Sequence, residues 1–314
     1  MITSVNGALL FKPVRLEKIV TRANESKIVP RRIPFSFPND IKGHWIPGKP
    51  ELSHMMNGAS LTMPYLEPFL IRTLRDAMSN IKDPLLLADC EAFMAQEGQH
   101  FRAHRRFNDA LKANGYPRLA EIEAQMEESY AQLSHKSLAS RLAYTAGFES
   151  MTLGVTRWLI ECRQQLFAGA DSRIVSFILW HMVEETEHKT VAFDAYQAVC
   201  GGYFTRAMGV LHGSFDVMRF SMRAYKLMLK QDGLWNNLRS RLRLAGQLAS
   251  FIRHVGPYLL RAALPGHSPR SERDPEWVLE WIRRFSSASS LQVIPLVDTQ
   301  DPLMPVPPVT ILQS

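Results

Sequence analysis

WHMVEETEHK, residues 180–189, places two histidines and three glutamates within ten consecutive positions. The stretch before it, RIVSFIL, is apolar, so a segment with the pattern of a buried helix carries many ionisable side chains. Steps of four and three residues separate His181, Glu185 and His188, and a helix brings side chains at these steps onto one face. Two imidazoles and a carboxylate on the buried face of a helix indicate a metal site in a helical core.

The rest of the chain predicts an all-α fold, because helical periodicity recurs and no alternating strand pattern is found. Asp83 and Pro84 form a typical helix start, with Asp as the N-cap and Pro in the first turn. Gly115 marks the expected end of that helix. Pro68 lies inside the first helical pattern and is expected to kink it. The long helices are predicted at roughly residues 60–80, 84–114, 138–168 and 171–199.

The composition divides the 314 residues into four parts. Residues 1–58 are dense in Pro and Gly and are predicted to form an irregular segment that packs on the bundle. The four-helix bundle with its metal site is assigned to residues 59–200, and a basic amphipathic helical extension to residues 201–285. The tail, residues 286–314, is rich in Ser and Pro and is predicted to be extended or disordered.

Glu-x-x-His motifs occur three times, although a random order of the same residues predicts fewer than one. Glu97 and His100 carry the second motif, on the second predicted helix, and Glu185 and His188 carry the third. The first motif, which ends at His54, lies in the Pro-rich segment outside the predicted helices and is interpreted as chance.

Two single glutamates complete a repeating pattern. Glu67 lies on the first predicted helix and Glu149 on the third, where it is nearly the only acid in an apolar run. An unpaired buried carboxylate costs several kcal/mol unless its pKa rises or a cation lies beside it. A glutamate from each of two helices, with Glu-x-x-His from each of two others, is the donor set with which four-helix bundles hold two iron or manganese ions. The sequence therefore predicts a dinuclear site, with a helical core of satisfied polar groups as the alternative.

These residues resemble the ferritin-like di-iron carboxylate superfamily, and the resemblance implies a ferritin-like four-helix bundle with additional C-terminal helices. His181, four residues before the last Glu-x-x-His motif, resembles the extra histidine of the arylamine N-oxygenases. The run FMAQEGQHFRAHRRFN is similar to a bacterial family of predicted metal-dependent hydrolases in the same superfamily. The resemblance implies two iron ions, or an Fe/Mn pair. The implied ligands are Glu67, Glu97, His100, Glu149, Glu185 and His188, with His181 as a seventh ligand or, alternatively, as a neighbouring core histidine.

Further residues share helix faces with the predicted ligands. His104 is interpreted as a pocket residue or a hydrogen-bond partner of a ligand, with a histidine that interacts with the helix dipole as the alternative. Glu184 is interpreted as a solvated residue or as a hydrogen-bond partner of a ligand. Candidates for a substrate pocket, with plain packing as the alternative, are Thr145, Thr152 and Tyr196.

The predicted site fits three classes of function. We favour oxidation of a small, apolar organic substrate by O₂, through hydroxylation, N-oxygenation or desaturation, because three nitrogen ligands favour oxygen chemistry. A metal-dependent hydrolase that uses a bridging water is the first alternative, and non-catalytic iron handling is the second. The sequence has no glycine-rich nucleotide or flavin motif, so an oxidase of this kind needs a separate reductase as electron donor.

Positive charge is concentrated in one region. Residues 201–274 hold twelve Arg or Lys and four acids, so their net charge of +8 exceeds the +7 of the whole chain. Basic amphipathic helices across 203–262 indicate peripheral contact with an anionic membrane, with a solvated basic face as the alternative. No recognition motif supports nucleic-acid binding. Scattered cysteines and the lack of a signal-peptide pattern indicate a cytoplasmic protein. The sequence does not determine the oligomeric state, and a homodimer is one alternative.

Overall fold

The computed structural model describes residues 28–37, 40–286, 291 and 293–309. Much of the predicted N-terminal irregular segment and several residues of the tail lie outside this part of the chain. Within the described residues the fold is all-α, without a β-strand. The helices are α1 (Pro50–Met78), α2 (Pro84–Ala113), α3 (Leu119–Ser134), α4 (Leu138–Glu161), α5 (Arg163–Phe167), α6 (Ser172–Glu187), α7 (Val191–Val199), α8 (Tyr203–Gln231), α9 (Leu238–Ala262) and α10 (Glu276–Phe285), with a short 3-10 turn at Pro269–Ser271.

Local sequence explains where several helices begin. The side chain of Asp83 accepts a hydrogen bond from the backbone N–H of Leu85 and is followed by a proline, as predicted for the start of α2. Asp171 caps α6 in the same way, and Ser137 caps α4. These side chains satisfy backbone donors that the first turn of a helix leaves without partners.

Helix α1 is longer than predicted. It begins at Pro50 rather than near residue 60, and it continues through Pro64 and Pro68. Each internal proline removes a backbone hydrogen bond, but α1 is buried along most of its length, and tertiary packing outweighs that local loss. The first Glu-x-x-His motif therefore lies on a helix, and the interpretation that it lies outside one is wrong.

That first motif connects α1 to the C-terminal helices. Glu51 accepts a hydrogen bond from Arg243 of α9 at 2.7 Å. Nε2 of His54 lies 2.6 Å from Oδ2 of Asp232, the residue that follows α8. Asn57 donates to Nδ1 of His54 at 3.3 Å, so this imidazole carries its proton on Nε2 and donates it to Asp232. The two side chains of the motif therefore connect the start of α1 to the end of α8 and to α9.

Two of the predicted helices are each divided in two. The predicted helix 138–168 breaks at Cys162, and the predicted helix 171–199 breaks after Glu187. His188 is the C-cap residue of α6, with φ −103° and ψ 10°. A predicted metal ligand therefore lies where α6 leaves the regular helical path.

The interior of the bundle is enclosed by α1, α2, α4 and the consecutive helices α6 and α7. Helix α1 packs on α2, α2 on α7, α4 on α6 and α7, and α1 on α4, which closes the ring. Helix α3 lies against α1, α8 packs along α4 and α1, and α9 packs on α4. The prediction of an all-α bundle with additional C-terminal helices is confirmed. No helix in the described ranges is both long enough and apolar enough to cross a membrane.

The described part of the tail packs on the bundle in an extended form. The backbone N–H of Val297 donates to the hydroxyl of Ser176 on α6, and the indole of Trp277 on α10 donates to the carbonyl of Met304. Val297 and Met304 are both buried. Residues 293–309 thus cover α6 and α10.

Helices α4 and α8 approach each other very closely. A Cβ atom at Gly209 would lie 2.0 Å from the carbonyl oxygen of Ala143, and one at Gly147 would lie 2.1 Å from the carbonyl oxygen of Gly209. Real Cβ atoms do not come this near to backbone atoms, so the crossing requires glycine at both positions.

We expect Gly209→Ala to lower the free energy of unfolding by about 2–3 kcal/mol, because the added methyl group forces two helix backbones apart. Gly246→Ala on α9 is the matched control, since no atom lies within 4 Å of its Cβ position. Alanine at that helical site should raise stability by up to about 1 kcal/mol. Urea denaturation measures both changes, and equal stabilities of the two variants would contradict the close crossing.

Candidate metal centre

All seven predicted ligands lie in one buried cluster inside the bundle. Each of them is at most 4% exposed. They are Glu67 from α1, Glu97 and His100 from α2, Glu149 from α4, His181 and Glu185 from α6, and His188 from the break after α6.

Glu185 occupies the middle of the cluster. Its Oε1 lies 2.7 Å from Nε2 of His181, and its Oε2 lies 3.1 Å from Nε2 of His188. The same nitrogen of His188 lies 3.4 Å from Oε1 of Glu97 and 3.5 Å from Oε2 of Glu149. Carboxylates from three helices therefore converge on one imidazole nitrogen.

His100 and Glu67 extend the cluster away from that point. Nδ1 of His100 lies 3.7 Å from Oε2 of Glu97 and 3.7 Å from Oε1 of Glu185. Oε1 of Glu67 lies 3.7 Å from Nε2 of His181. The donor atoms therefore form a continuous set rather than two separate pockets.

This set divides into overlapping groups whose donor atoms lie within 4.8 Å of one another. One group is Glu97, Glu149, Glu185 and His188, and another is Glu67, Glu97 and His100. Two further groups are His100 with His181 and Glu185, and Glu67 with His104 and His181, so several residues belong to more than one group. Carboxylate with imidazole is a donor set that suits several divalent metals.

Several atoms of the cluster have no hydrogen-bond partner among the described residues. They are both carboxylate oxygens of Glu67 and of Glu97, Oε1 of Glu149 and Nδ1 of His100. A buried polar group without a partner costs about 1–3 kcal/mol, and more when it is charged. Divalent cations would satisfy these atoms, so the residues present fit a metal site.

The carboxylates of the cluster have strongly shifted acidities. Burial raises the pKa of Glu67 and of Glu97 well above the usual glutamate range, and the charge of Glu185 beside them raises it further. Burial and the same neighbour raise the pKa of Glu149 to about 7. Burial also opposes the charge of Glu185 itself, but two imidazoles, His188 first, hold its pKa well below the usual value. Without a cation, Glu67 and Glu97 therefore hold protons that a metal ion would displace.

The outward nitrogens of two ligand histidines are held by hydrogen bonds. Nε2 of His100 lies 3.0 Å from Oε2 of Glu184, and Nδ1 of His188 lies 2.9 Å from Oε1 of Gln96. Each contact lets the outward nitrogen donate its proton, so the nitrogen that faces the cluster is the one that a metal ion would bind. Burial opposes the charged form of His188, but the charge of Glu185 outweighs it and raises the pKa of His188 to about 10, so a metal ion would displace a proton from this nitrogen.

His181 begins a chain of hydrogen bonds of the same kind. Its Nδ1 lies 2.8 Å from Nε2 of His104, and Nδ1 of His104 lies 2.8 Å from the hydroxyl of Ser60. That hydroxyl donates to Oδ1 of Asn108 at 2.8 Å. Burial, with the neighbouring His181, lowers the pKa of His104 well below the usual histidine value, so this imidazole is neutral. Protons on Nδ1 of both rings satisfy every bond in the chain and leave Nε2 of His181 free to face the cluster.

Arg31 joins the partners of two ligand histidines. Its guanidinium donates to Glu184 at 3.2 Å and to both oxygens of Glu187 at 2.6 and 2.7 Å. Gln96 donates to the same Glu187 at 2.7 Å, so His188 is connected to Arg31 through Gln96 and Glu187. Sequence analysis missed Arg31 and Gln96. Arg31 lies in a non-helical segment without periodicity, and no sequence pattern relates it to a site made by helices.

The other predicted pocket residues fall into two groups. Glu184 and His104 contact ligand histidines, and Thr152 lines a cavity beside the cluster. The hydroxyls of Thr145 and Tyr196 each donate to a backbone carbonyl, and neither side chain lines that cavity in the described part of the chain. For these two residues the packing alternative agrees with the contacts.

The cavity has a volume of about 400 Å³ and adjoins the cluster through His104 and His181. Ser60 and Thr152 lie among its polar lining residues. Most of the remaining wall is apolar and comes from α1, α2, α4, α6, α8 and α9, including Met55, Phe107, Phe148, Met151, Phe215 and Ile252. An apolar cavity that ends at a cluster of ligands is the usual arrangement of a small-molecule site.

One comparison with known proteins gives a match. A family model with the description "Predicted metal-dependent hydrolase" matches residues 29–273. No curated protein and no solved structure matches the chain. The prediction that ranked oxidation by O₂ above hydrolysis is wrong, because the family match supports the hydrolase that had been the alternative.

We expect Mn²⁺ to raise the Tm of the metal-free protein more at pH 8 than at pH 5. Glu67, Glu97 and Glu149 have raised pKa values in the folded protein, so their contribution to stability is complete below the unfolded value of 4.5 and is lost as the pH rises through the folded value. Bound cations replace the lost protons and compete better as the pH rises. Thermal unfolding with EDTA or Mn²⁺ at both pH values measures the two shifts, and equal shifts would contradict metal ligation by these glutamates.

Arg31→Lys should weaken Mn²⁺ binding by about tenfold or more, because lysine keeps the charge but loses the paired hydrogen bonds that fix Glu187. Arg32→Lys is the matched control, since Arg32 is the next residue and is exposed. Competition with a fluorescent chelator measures both affinities. Unchanged affinity in Arg31→Lys would show that this network does not support the site.

Proposed function

We propose a hydrolytic function for this chain, which belongs to the family described as predicted metal-dependent hydrolases. In this proposal the buried cluster holds two divalent cations and hydrolyses a small, mainly apolar substrate. The observation that carries the proposal is the set of unpartnered donor atoms on Glu67, Glu97, Glu149 and His100, beside an apolar cavity. A plain structural core would leave these atoms without partners.

The donor set gives the proposed metals. Four carboxylates and three imidazoles suit iron or manganese better than a metal that prefers thiolate ligands. We therefore propose an iron pair or an Fe/Mn pair. Cations held in this way lower the pKa of a water molecule and polarise a carbonyl or phosphoryl oxygen. Metal analysis of protein purified from its own host tests their identity.

The cavity sets the orientation of the substrate. Its polar side chains include His104, His181, Ser60 and Thr152, while most of the remaining wall is apolar. A substrate with a hydrolysable group and an apolar remainder therefore binds with the group toward the cluster. The apolar wall excludes bulk water from the apolar part of the substrate.

The histidine chain holds protons at defined atoms. Nδ1 of His181 donates to Nε2 of His104, and Nδ1 of His104 donates to Ser60. We propose that this chain keeps His181 in one tautomer, with Nε2 toward the cluster.

Glu149→Gln should reduce the bound metal and lower kcat/KM for p-nitrophenyl butyrate by about 100-fold, since an amide is a weaker metal ligand than a carboxylate. Glu161→Gln is the matched control, because Glu161 is on the same helix with its side chain 49% exposed. Metal-loaded and chelator-treated proteins are assayed in parallel. Hydrolysis that survives chelation, or that is equal in Glu149→Gln and wild type, would refute the proposed function.

A further inference from the structure

Helix α8 carries an apolar stripe that faces away from the bundle. Its members are separated by steps of four, three, four and seven residues, which a helix brings onto one face. Phe204 is 81% exposed. The stripe consists of Phe204, Met208, Leu211, Phe215 and Met222, all of which are exposed.

Helix α9 carries a second stripe of the same kind. Leu238 is 74% exposed, and exposed apolar or small residues follow it at helical spacing to the end of the helix. These residues are Leu238, Leu242, Ala245, Ala249, Ile252 and Leu260. Two long exposed apolar stripes are unusual on a protein surface that faces only water.

The cavity shows that the two stripes lie beside each other. Phe215 and Met222 of the first stripe and Ile252 of the second all line it, and all three are exposed. The same cavity is lined at its other end by the buried residues His104 and His181. It therefore runs from the metal cluster to the surface, and its mouth lies between the stripes.

The surroundings of the mouth are basic. Residues 201–262 hold ten Arg or Lys and two acids. Arg206 is buried, and three more arginines pair with acids of the chain, which leaves six exposed cations on α8 and α9. These are Arg223, Lys226, Lys230, Arg239, Arg241 and Arg253. Both acids are engaged inside the molecule, since Asp216 accepts from Arg219 and Asp232 binds His54. Positive charge around an apolar face is complementary to an anionic lipid surface. Two copies of this face would repel each other, which argues against a second copy of the chain as its occupant.

We propose that the two-stripe face docks on an anionic membrane and that the substrate is an acyl ester dissolved in that membrane. The substrate class rests on the proposed function. The apolar chain would leave the bilayer through the mouth between α8 and α9, with its ester group toward the cluster. Hydrolysis breaks the bond between the acyl carbon and the alkoxy oxygen, adds the hydroxyl of water to the acyl carbon and transfers a proton to the alkoxy oxygen. No oxidant or reductant is required.

Vesicle flotation of the full, metal-loaded chain tests the docking. We expect at least tenfold more protein to float with vesicles that contain 30% phosphatidylserine than with pure phosphatidylcholine, and 0.5 M NaCl to remove most of that difference. The variant with Phe204→Asp and Leu211→Asp should lose flotation, because a carboxylate on each of two turns opposes insertion. Neither residue lines the cavity.

The control variant carries Leu85→Asp and Leu303→Asp, two exposed leucines outside α8 and α9, and should float like wild type. Equal flotation of the two double variants, or no flotation of wild type, would overturn the proposal. The proposal would also be overturned if the wild type were a dimer without lipid and the Phe204 and Leu211 changes made it a monomer. A second copy of the chain would then cover the face.

Activity separates this inference from the proposed function. Wild type and both double variants should hydrolyse soluble p-nitrophenyl butyrate at the same rate. With p-nitrophenyl palmitate in anionic vesicles, the Phe204 and Leu211 variant should be at least tenfold slower than wild type, and the control variant should match wild type. Soluble hydrolysis without flotation would overturn docking and leave the hydrolase proposal intact. Flotation without hydrolysis of either ester would leave docking intact but overturn both the ester substrate and the proposed function.

Discussion

Four carboxylates and three imidazoles share the interior of one helical bundle, and the electrostatics of their burial constrain everything around them. A carboxylate in the protein interior is destabilised by several kcal/mol unless it keeps a proton or faces a positive charge. Burial raises the pKa of Glu67 and Glu97 accordingly. Their oxygens have no hydrogen-bond partner within the described residues, so a cation is the compensation that this arrangement fits.

The surroundings of the cluster follow from the same constraint. A ligand histidine needs one nitrogen with a free lone pair and one in a hydrogen bond, and Glu184, Gln96 and His104 supply the second contact. Two of these partners lead to Arg31, because Glu184 accepts from it directly and Gln96 donates to Glu187, which also accepts from Arg31. The guanidinium also donates to the carbonyl of Phe285 at 3.1 Å. The segment before α1 and the end of α10 are therefore part of the support of the metal cluster, although both lie outside the bundle.

The two ends of the cavity differ in chemical character. Donor side chains lie at one end of the cavity, and exposed apolar side chains of α8 and α9 lie at the other. Glycines at the crossing allow α8 to pack closely on α4, and both helices contribute to the cavity wall. This polarity is the arrangement on which the proposed hydrolysis rests, with the ester group toward the inner end and the apolar chain extending outward.

Helical periodicity and the spacing of Glu and His were enough to predict the all-α bundle and to select seven side chains that the structure brings together, because side-chain direction in a helix depends on local steps of three and four residues. The break at His188, the continuation of α1 through Pro64 and Pro68, and the role of the motif at Glu51 and His54 required the tertiary structure, since packing against other helices outweighs local preference there. Arg31, Gln96 and the cavity between α8 and α9 also depend on residues far apart in the chain, and no local pattern records such contacts. The sequence by itself determined which side chains are candidate metal ligands, because their types and local spacing are fixed along the chain. The tertiary structure alone decided which neighbours hold them and where the cavity beside them lies, because those contacts join residues far apart in the chain.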